Sequence, residues 1–182
     1  SPIFCANQAK IPLHVWVDET RPRNQGALLT SWELKNEKVP HTVIVDNAGG
    51  HLMQNGKVDL CLVGSDRTAM NGDVCNKIGT YLKAISAHEN NIPFYVALPT
   101  STIDRYLKKG LDIPIEIRDG KELSNVSFEK SKKLFTERIY EKKTKTFNPA
   151  FDVTPAKFIT ALITENGICK ANSSSIKKKL KN

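Results

Sequence analysis

The apolar run Leu60-Cys61-Leu62-Val63, closed by Gly64 and followed at once by Ser65-Asp66-Arg67, constrains the fold more than any other stretch of the chain. A short run without polar alternation suits a strand buried on both faces, and such strands belong to parallel sheets covered by helices. Where a strand of this kind ends, an open α/β sheet presents its carboxyl edge, the place where ligands bind. Asp66 and Arg67 stand at that edge. Asn71-Gly72-Asp73 then reads as a turn, and Asn76-Lys77-Ile78-Gly79 as the opening of a helix that runs on through Tyr81, Leu82, Ile85 and His88. An acid and an arginine at a strand end, facing a helix start that carries an amide and a lysine, form a cradle for a polar, anionic small molecule.

The flanking segments repeat the pattern. Strands are expected at Leu13–Val17, Thr42–Val45 and Phe94–Leu98, each breaking into polar or small residues such as Asp18-Glu19-Thr20 and Asp46-Asn47-Ala48. Helices are expected between them, with Ala27, Leu28, Leu29, Trp32 and Leu34 marking one and His51 to Met53 another, stopped by Asn55-Gly56. Strands alternating with helical patterns predict an α/β fold with a doubly wound parallel sheet whose polar strand ends share one edge. After Leu98 one or two helical turns are expected at Ile103–Leu107, and a Pro-containing edge strand at Leu111–Ile117. Residues 120–146 read as a charged surface insert, partly helical over Ser131–Tyr140. Thr154-Pro155 reads as the start of a helix over Ala156–Glu165, stopped by Asn166-Gly167. The tail from Ser173 holds helix formers with little apolar face.

At 182 residues, 40% hydrophobic and 25% charged, the chain is expected to form one soluble domain over residues 1–182. No apolar stretch is long enough to span a membrane, and the start has no signal-peptide layout, so no membrane partner is expected. The net charge of +8 is concentrated in the insert and in a basic tail over residues 170–182, without the interleaved aromatics of a base-stacking groove. Specific nucleic-acid binding is therefore not expected. Cys5, Cys61, Cys75 and Cys169 show no paired spacing and read as reduced thiols of an intracellular protein, with Cys61 and Cys75 as small buried fillers. The four histidines have no metal-ligand spacing and no GxGxxG follows the first strand, so neither a metal nor a nucleotide cofactor is implied.

The pieces DETRPRNQGALLT, VDLCLVGSDRTAMNGDVCNKIGT, IPFYVALPTST and NPAFDVTPAKFITALITENGI resemble, in order, the carboxyl-terminal half of the methylthioribose-1-phosphate isomerases, and they span most of the chain from His14 to Ile168. The resemblance implies a Rossmann-like domain, the second of a two-domain protein, acting as an aldose–ketose isomerase of methionine salvage in the cytoplasm, with the nucleus as a further compartment. It also implies a homodimer. The smaller amino-terminal domain of that family, with its Arg-Gly-Ala phosphate loop and catalytic cysteine, has no counterpart here. A chain beginning Ser1-Pro2 is expected to be one piece of a longer or cleaved polypeptide, with the other half in the same particle.

A sugar phosphorylated on its anomeric carbon does not open its ring unaided. Such an isomerase needs an acid at the ring oxygen and a means of moving hydrogen from C2 to C1, in a site that excludes water. By resemblance Asp66 is the proton donor, a role for which burial at a strand end prepares a carboxyl group. Gln25, Asn76 and Lys77 fall on substrate-binding positions, the two amides suited to hydroxyls and Lys77 to a phosphate or developing oxyanion. Transfer as a proton through an enediol or as a hydride both stay open. Each residue has a plainer reading: Asp66 as partner of Arg67 or cap of the next turn, Lys77 as a solvated lysine, and Asp46 and Asp152, which could otherwise support the site, as turn or cap residues. Arg21 and Arg23 have two readings, neutralising substrate phosphate or tying Asp18 and Glu19. Two rival functions share the motifs: the regulatory subunits of the translation-initiation guanine-nucleotide exchange factor, and ribose-1,5-bisphosphate isomerase. The family pattern of the regulatory subunits lacks the Asp66-Arg67 pair.

Overall fold

The computed structural model describes residues 2–131 and 133–180. Its chain divides into two compact units, Ser1–Gly49 with Asp119–Thr146, and Gly50–Arg118 with Phe147–Asn182. In the first unit α1 (Pro2–Gln8) precedes β1 (Val15–Asp18), and a π-helical turn over Gly26–Thr30 leads into α2 (Ser31–Asn36) and then β2 (His41–Ile44). β1 and β2 pair in parallel with Val15 opposite His41 and Asp18 opposite Ile44. A Cβ on Gly26 would run into the Asp18 carbonyl, so only glycine lets the helical segment start this close to the end of β1. Val17, Leu34 and Val39 form the buried centre, backed by Ile3, Phe4, Leu13 and Val15. Of the apolar helix pattern only Leu34 turns inward; Leu28, Leu29 and Trp32 are 71%, 56% and 59% exposed.

In the second unit α3 (Ala48–Gln54) leads to β3 (Cys61–Val63), the expected apolar strand. β4 (Arg67–Ala69) and β5 (Val74–Lys77) follow as a hairpin around Asn71-Gly72-Asp73. Asn76 and Lys77 therefore end a strand instead of opening a helix, which corrects the sequence expectation. The helix, α4 (Thr80–Glu89), starts only after Gly79, whose φ of +101° breaks the strand. β6 (Phe94–Ala97) falls where expected, whereas Ile103–Leu107 supplies β7 (Ile103–Asp104), a strand parallel to β4. Leu111–Ile117 forms no strand: a 3₁₀ turn covers Gly110–Asp112, and Ile117 makes one isolated bridge to Pro149.

The second segment of the first unit holds a short helix, α5 (Lys121–Ser124), and the antiparallel pair β8 (Asn125–Lys130) and β9 (Lys133–Arg138). The helical reading of Ser131–Tyr140 is thus overturned. Alternation decides it, with Ser127 opposite Thr136 and Phe128 stacked on Phe135 at 5.8 Å.

Back in the second unit, β10 (Phe151–Thr154) pairs antiparallel with β5. The expected helix over Ala156–Glu165 is instead a 3₁₀ turn followed by β11 (Ala161–Thr164), a turn at Glu165-Asn166, and β12 (Gly167–Cys169). Leu162 and Thr164 point inward while Ala161 and Ile163 alternate with them, a strand period that outweighs the helix-start signal. α6 (Ser173–Lys179) closes the described chain. Two four-stranded sheets result, β10-β5-β4-β7 and β12-β11-β6-β3, and in the latter β3, β6 and β11 run parallel. Their core gathers Val74, Ala84, Ala87, Phe94, Val96, Leu162 and Ile176, all essentially inaccessible. Each large side chain here contributes about 1.5–3 kcal/mol through burial. No described helix is long and apolar enough to cross a membrane.

Candidate functional site

β3 delivers Gly64, Ser65 and Asp66 to its carboxyl end, and the chain turns there into β4. The Asp66 N–H donates to the Cys75 carbonyl at 3.0 Å, which lays Asp66 beside the strand that carries Asn76 and Lys77. A Cβ built on Gly64 would lie 3.9 Å from Asn76 Oδ1, so the Asn76 side chain comes up against the end of β3. Three of the residues named from sequence, Asp66, Asn76 and Lys77, are thereby brought together. Gln25 belongs to the first unit, exposed at the residue before the π-helical turn.

Electrostatics fit an acid poised above its ordinary range. Desolvation pushes the Asp66 carboxyl up, while the positive charges of Lys77 and then Arg118 pull it partly back. The residue as a whole remains exposed, so the push is partial. Arg67 does not serve as its partner: the ion pair Arg67 makes is to Asp104, at 3.7 Å. Arg118 was not singled out in the sequence because nothing local marks it. It reaches the site's field from the segment before Asp119, with its guanidinium 3.1 Å from Glu116 and 5.5 Å from the centre of the Phe151 ring.

Asp152 lies opposite Asn76 on β10 and caps α4 from outside, accepting from Gly79 N at 2.7 Å and Tyr81 N at 3.0 Å. Burial raises its pKa, and these two hydrogen bonds oppose the rise. Cys75, the neighbour of Asn76 on β5, is buried, its thiol pushed up to about 11 by desolvation and then by the charges of Asp66 and Asp152. A thiol held that high is no nucleophile at neutral pH, in keeping with its reading as a core filler. Asp46 takes the turn role, its two oxygens each accepting at 2.7 Å from Thr20 N and Arg21 N. Arg21 donates to the Pro22 and Leu123 carbonyls and Arg23 pairs with Glu122 at 3.0 Å, so both tie the loop after β1 to α5. Among the described residues no group of three His, Cys, Asp or Glu side chains could hold a metal ion.

In this mixed α/β chain an acid, an amide and a lysine stand at the carboxyl end of a parallel strand, the place where ligands bind in proteins of the α/β class. The chain belongs to the initiation factor 2 subunit family, whose model matches residues 1–171. It is 58% identical over 177 residues to a methylthioribose-1-phosphate isomerase of Escherichia coli O45:K1, covering 97% of this chain and 47% of that protein. A Rhizobium meliloti protein of the same name is 58% identical over 179 residues, covering 97% and 49%. Among solved structures, a 5-methylthioribose 1-phosphate isomerase from Pyrococcus horikoshii superposes with a TM-score of 0.87 at 40% identity, over 97% of this chain and 48% of that one. The translation initiation factor eIF-2B subunit delta from A. fulgidus superposes with a TM-score of 0.86 at 40% identity, over 97% and 49%. The chain thus spans about half the length of the relatives it matches.

Proposed function

We propose that this chain is the carboxyl-terminal, Rossmann-like half of a two-domain isomerase that converts S-methyl-5-thioribose-1-phosphate to S-methyl-5-thioribulose-1-phosphate in methionine salvage. The observation that carries the reading is the convergence of Asp66, Asn76 and Lys77 at one strand end, in a chain 58% identical to relatives that bear this name. Asp66, whose neutral form is favoured by desolvation, gives a proton to the ring oxygen as the C1–O ring bond breaks. Hydrogen then leaves C2 for C1, the C2 hydroxyl gives its proton to water as it becomes the carbonyl, and the Asp66 carboxylate takes a proton back from water. Lys77 supplies positive charge to the phosphate or the developing oxyanion, and Asn76 holds a hydroxyl. In this reading a cysteine of the amino-terminal half completes the site. The share of relatives left unmatched supports that second half, the exposed Leu28, Leu29 and Trp32 support a homodimer, and the parallel registers of β3 with β6 and of β6 with β11 support the Rossmann-like reading.

A second reading, a non-catalytic regulatory subunit of the translation-initiation exchange factor, is favoured by the match to the A. fulgidus subunit. Incubating the intact protein with methylthioribose-1-phosphate separates the two. The isomerase reading expects ketose formation that falls at least about a hundredfold in Asp66→Asn, the usual share of a positioned acid. A wild-type protein that forms no ketose would favour the regulatory subunit.

A further inference from the structure

We propose that Asp152 is the positioning residue of this site, a carboxylate that holds the Ile78-Gly79 turn and, through Thr80, aims the side-chain amide of Asn76; the inference rests on the isomerase reading above. β10 places Asp152 opposite Asn76 and Phe151 opposite Lys77, and directly opposed side chains of an antiparallel pair share a face. The Asp152 carboxylate accepts from Gly79 N and Tyr81 N, the two amides that flank Thr80, and Ala150 of the same segment accepts from Ile78 N at 3.0 Å. One segment thus holds the two backbone N–H groups of the turn between β5 and α4 and one in the first turn of α4. The turn needs holding, because Gly79 sits at a φ of +101° and brings no side chain of its own to fix it.

What the clamp fixes is the Thr80 hydroxyl. That group is 5% exposed, donates to the Lys77 carbonyl at 2.6 Å and accepts from Asn76 Nδ2 at 3.0 Å. With one Nδ2 hydrogen committed to Thr80, Asn76 turns its Oδ1 toward Gly64 and the end of β3. The amide therefore presents an acceptor to the site, the polarity that a sugar hydroxyl donor needs. A chain of bonds leads from Asp152 through Gly79 and Tyr81 to Thr80 and on to Asn76. The carboxylate also gains from lying at the N-terminus of a ten-residue helix, so it has reason to stay there without touching substrate.

The test uses the intact protein and two readouts. In amide-resolved NMR the Asn76 side-chain pair is identified by its loss in Asn76→Ala, and Asp152→Asn and Thr80→Val are each expected to move it to free-amide positions. In kinetics Asp152→Asn is expected to raise KM for methylthioribose-1-phosphate about tenfold, yet to change kcat/KM by less than about twofold in an Asn76→Ala background, because the amide it aims is gone. An Asn76 pair unmoved by Asp152→Asn would overturn the proposal, as would equal losses in both backgrounds. A wild-type protein without turnover would overturn the isomerase reading alone, and the NMR result would still decide the role of Asp152.

Discussion

Removing the Asp73 carboxylate should unlatch the second unit at one point. Its Oδ2 accepts from Asn71 Nδ2 at 2.7 Å and from Gly110 N at 3.0 Å, and its Oδ1 accepts from Ala156 N at 2.9 Å. Three separate segments meet on one side chain. A hydrogen bond to a charged group contributes about 1.5–3 kcal/mol, so losing the two backbone donors in Asp73→Ala costs about 3 kcal/mol at the low end appropriate to a half-buried group. For a chain of this size that lowers Tm by about 6–12 °C. Asn71→Ala removes only its own contacts with Asp73 and should cost about 1 kcal/mol, or about 2–4 °C. Thermal unfolding followed by circular dichroism on the three proteins decides the matter. If Asp73→Ala melts no lower than Asn71→Ala, the carboxylate is not the latch described.

Arg118→Met removes a charge that lowers the Asp66 pKa, so a carbon-13 titration of the Asp66 carboxyl should move to higher pH; an unmoved curve would disconnect the two residues. The raised pKa values of Asp66 and Asp152 mean that the folded state binds their protons more tightly than the unfolded chain. Their contribution to stability is therefore full below the ordinary carboxylate range and is lost as pH rises through the folded values, and denaturant unfolding from pH 4 upward in Asp152→Asn should show a shallower decline than wild type. Cys75, with its thiol near 11, should resist iodoacetamide at pH 8 while the exposed Cys5 reacts, as read by peptide mass mapping. Ile176→Ala should destabilise by about 2–5 kcal/mol in urea unfolding, because this residue of the lysine-rich tail is fully buried.

How far the sequence could be read depended on where each signal lay. Cys61–Val63 and Phe94–Ala97 were legible because an apolar run bounded by Gly or Pro is a local signal for a buried strand. Asn76 and Lys77 were placed at the correct strand edge but on the wrong element. Their helix starts three residues later, after a left-handed glycine and under a cap supplied by Asp152, which lies far away in the chain. No window around Asn76 contains that information. Ala156–Glu165 was misread for the opposite reason. The Asn166-Gly167 signal was present, and Asn-Gly between apolar, β-branched segments favours a hairpin over a helix stop. Ile176 looked like a lone apolar residue among lysines, and only the packed structure shows it filling the core. The role of Arg118 likewise depends on Phe151 and Asp66, neither of them near it in sequence.

A crystal structure of the intact Asp66→Asn protein with methylthioribose-1-phosphate bound would show directly whether Asp66, Asn76 and Lys77 form one substrate site. Residue 66 is expected within hydrogen-bond reach of the ring oxygen, about 2.6–3.2 Å, with Lys77 and Asn76 on the phosphate or hydroxyl oxygens of the same molecule. A sugar phosphate bound away from the end of β3, with residue 66 touching none of its oxygens, would contradict that expectation.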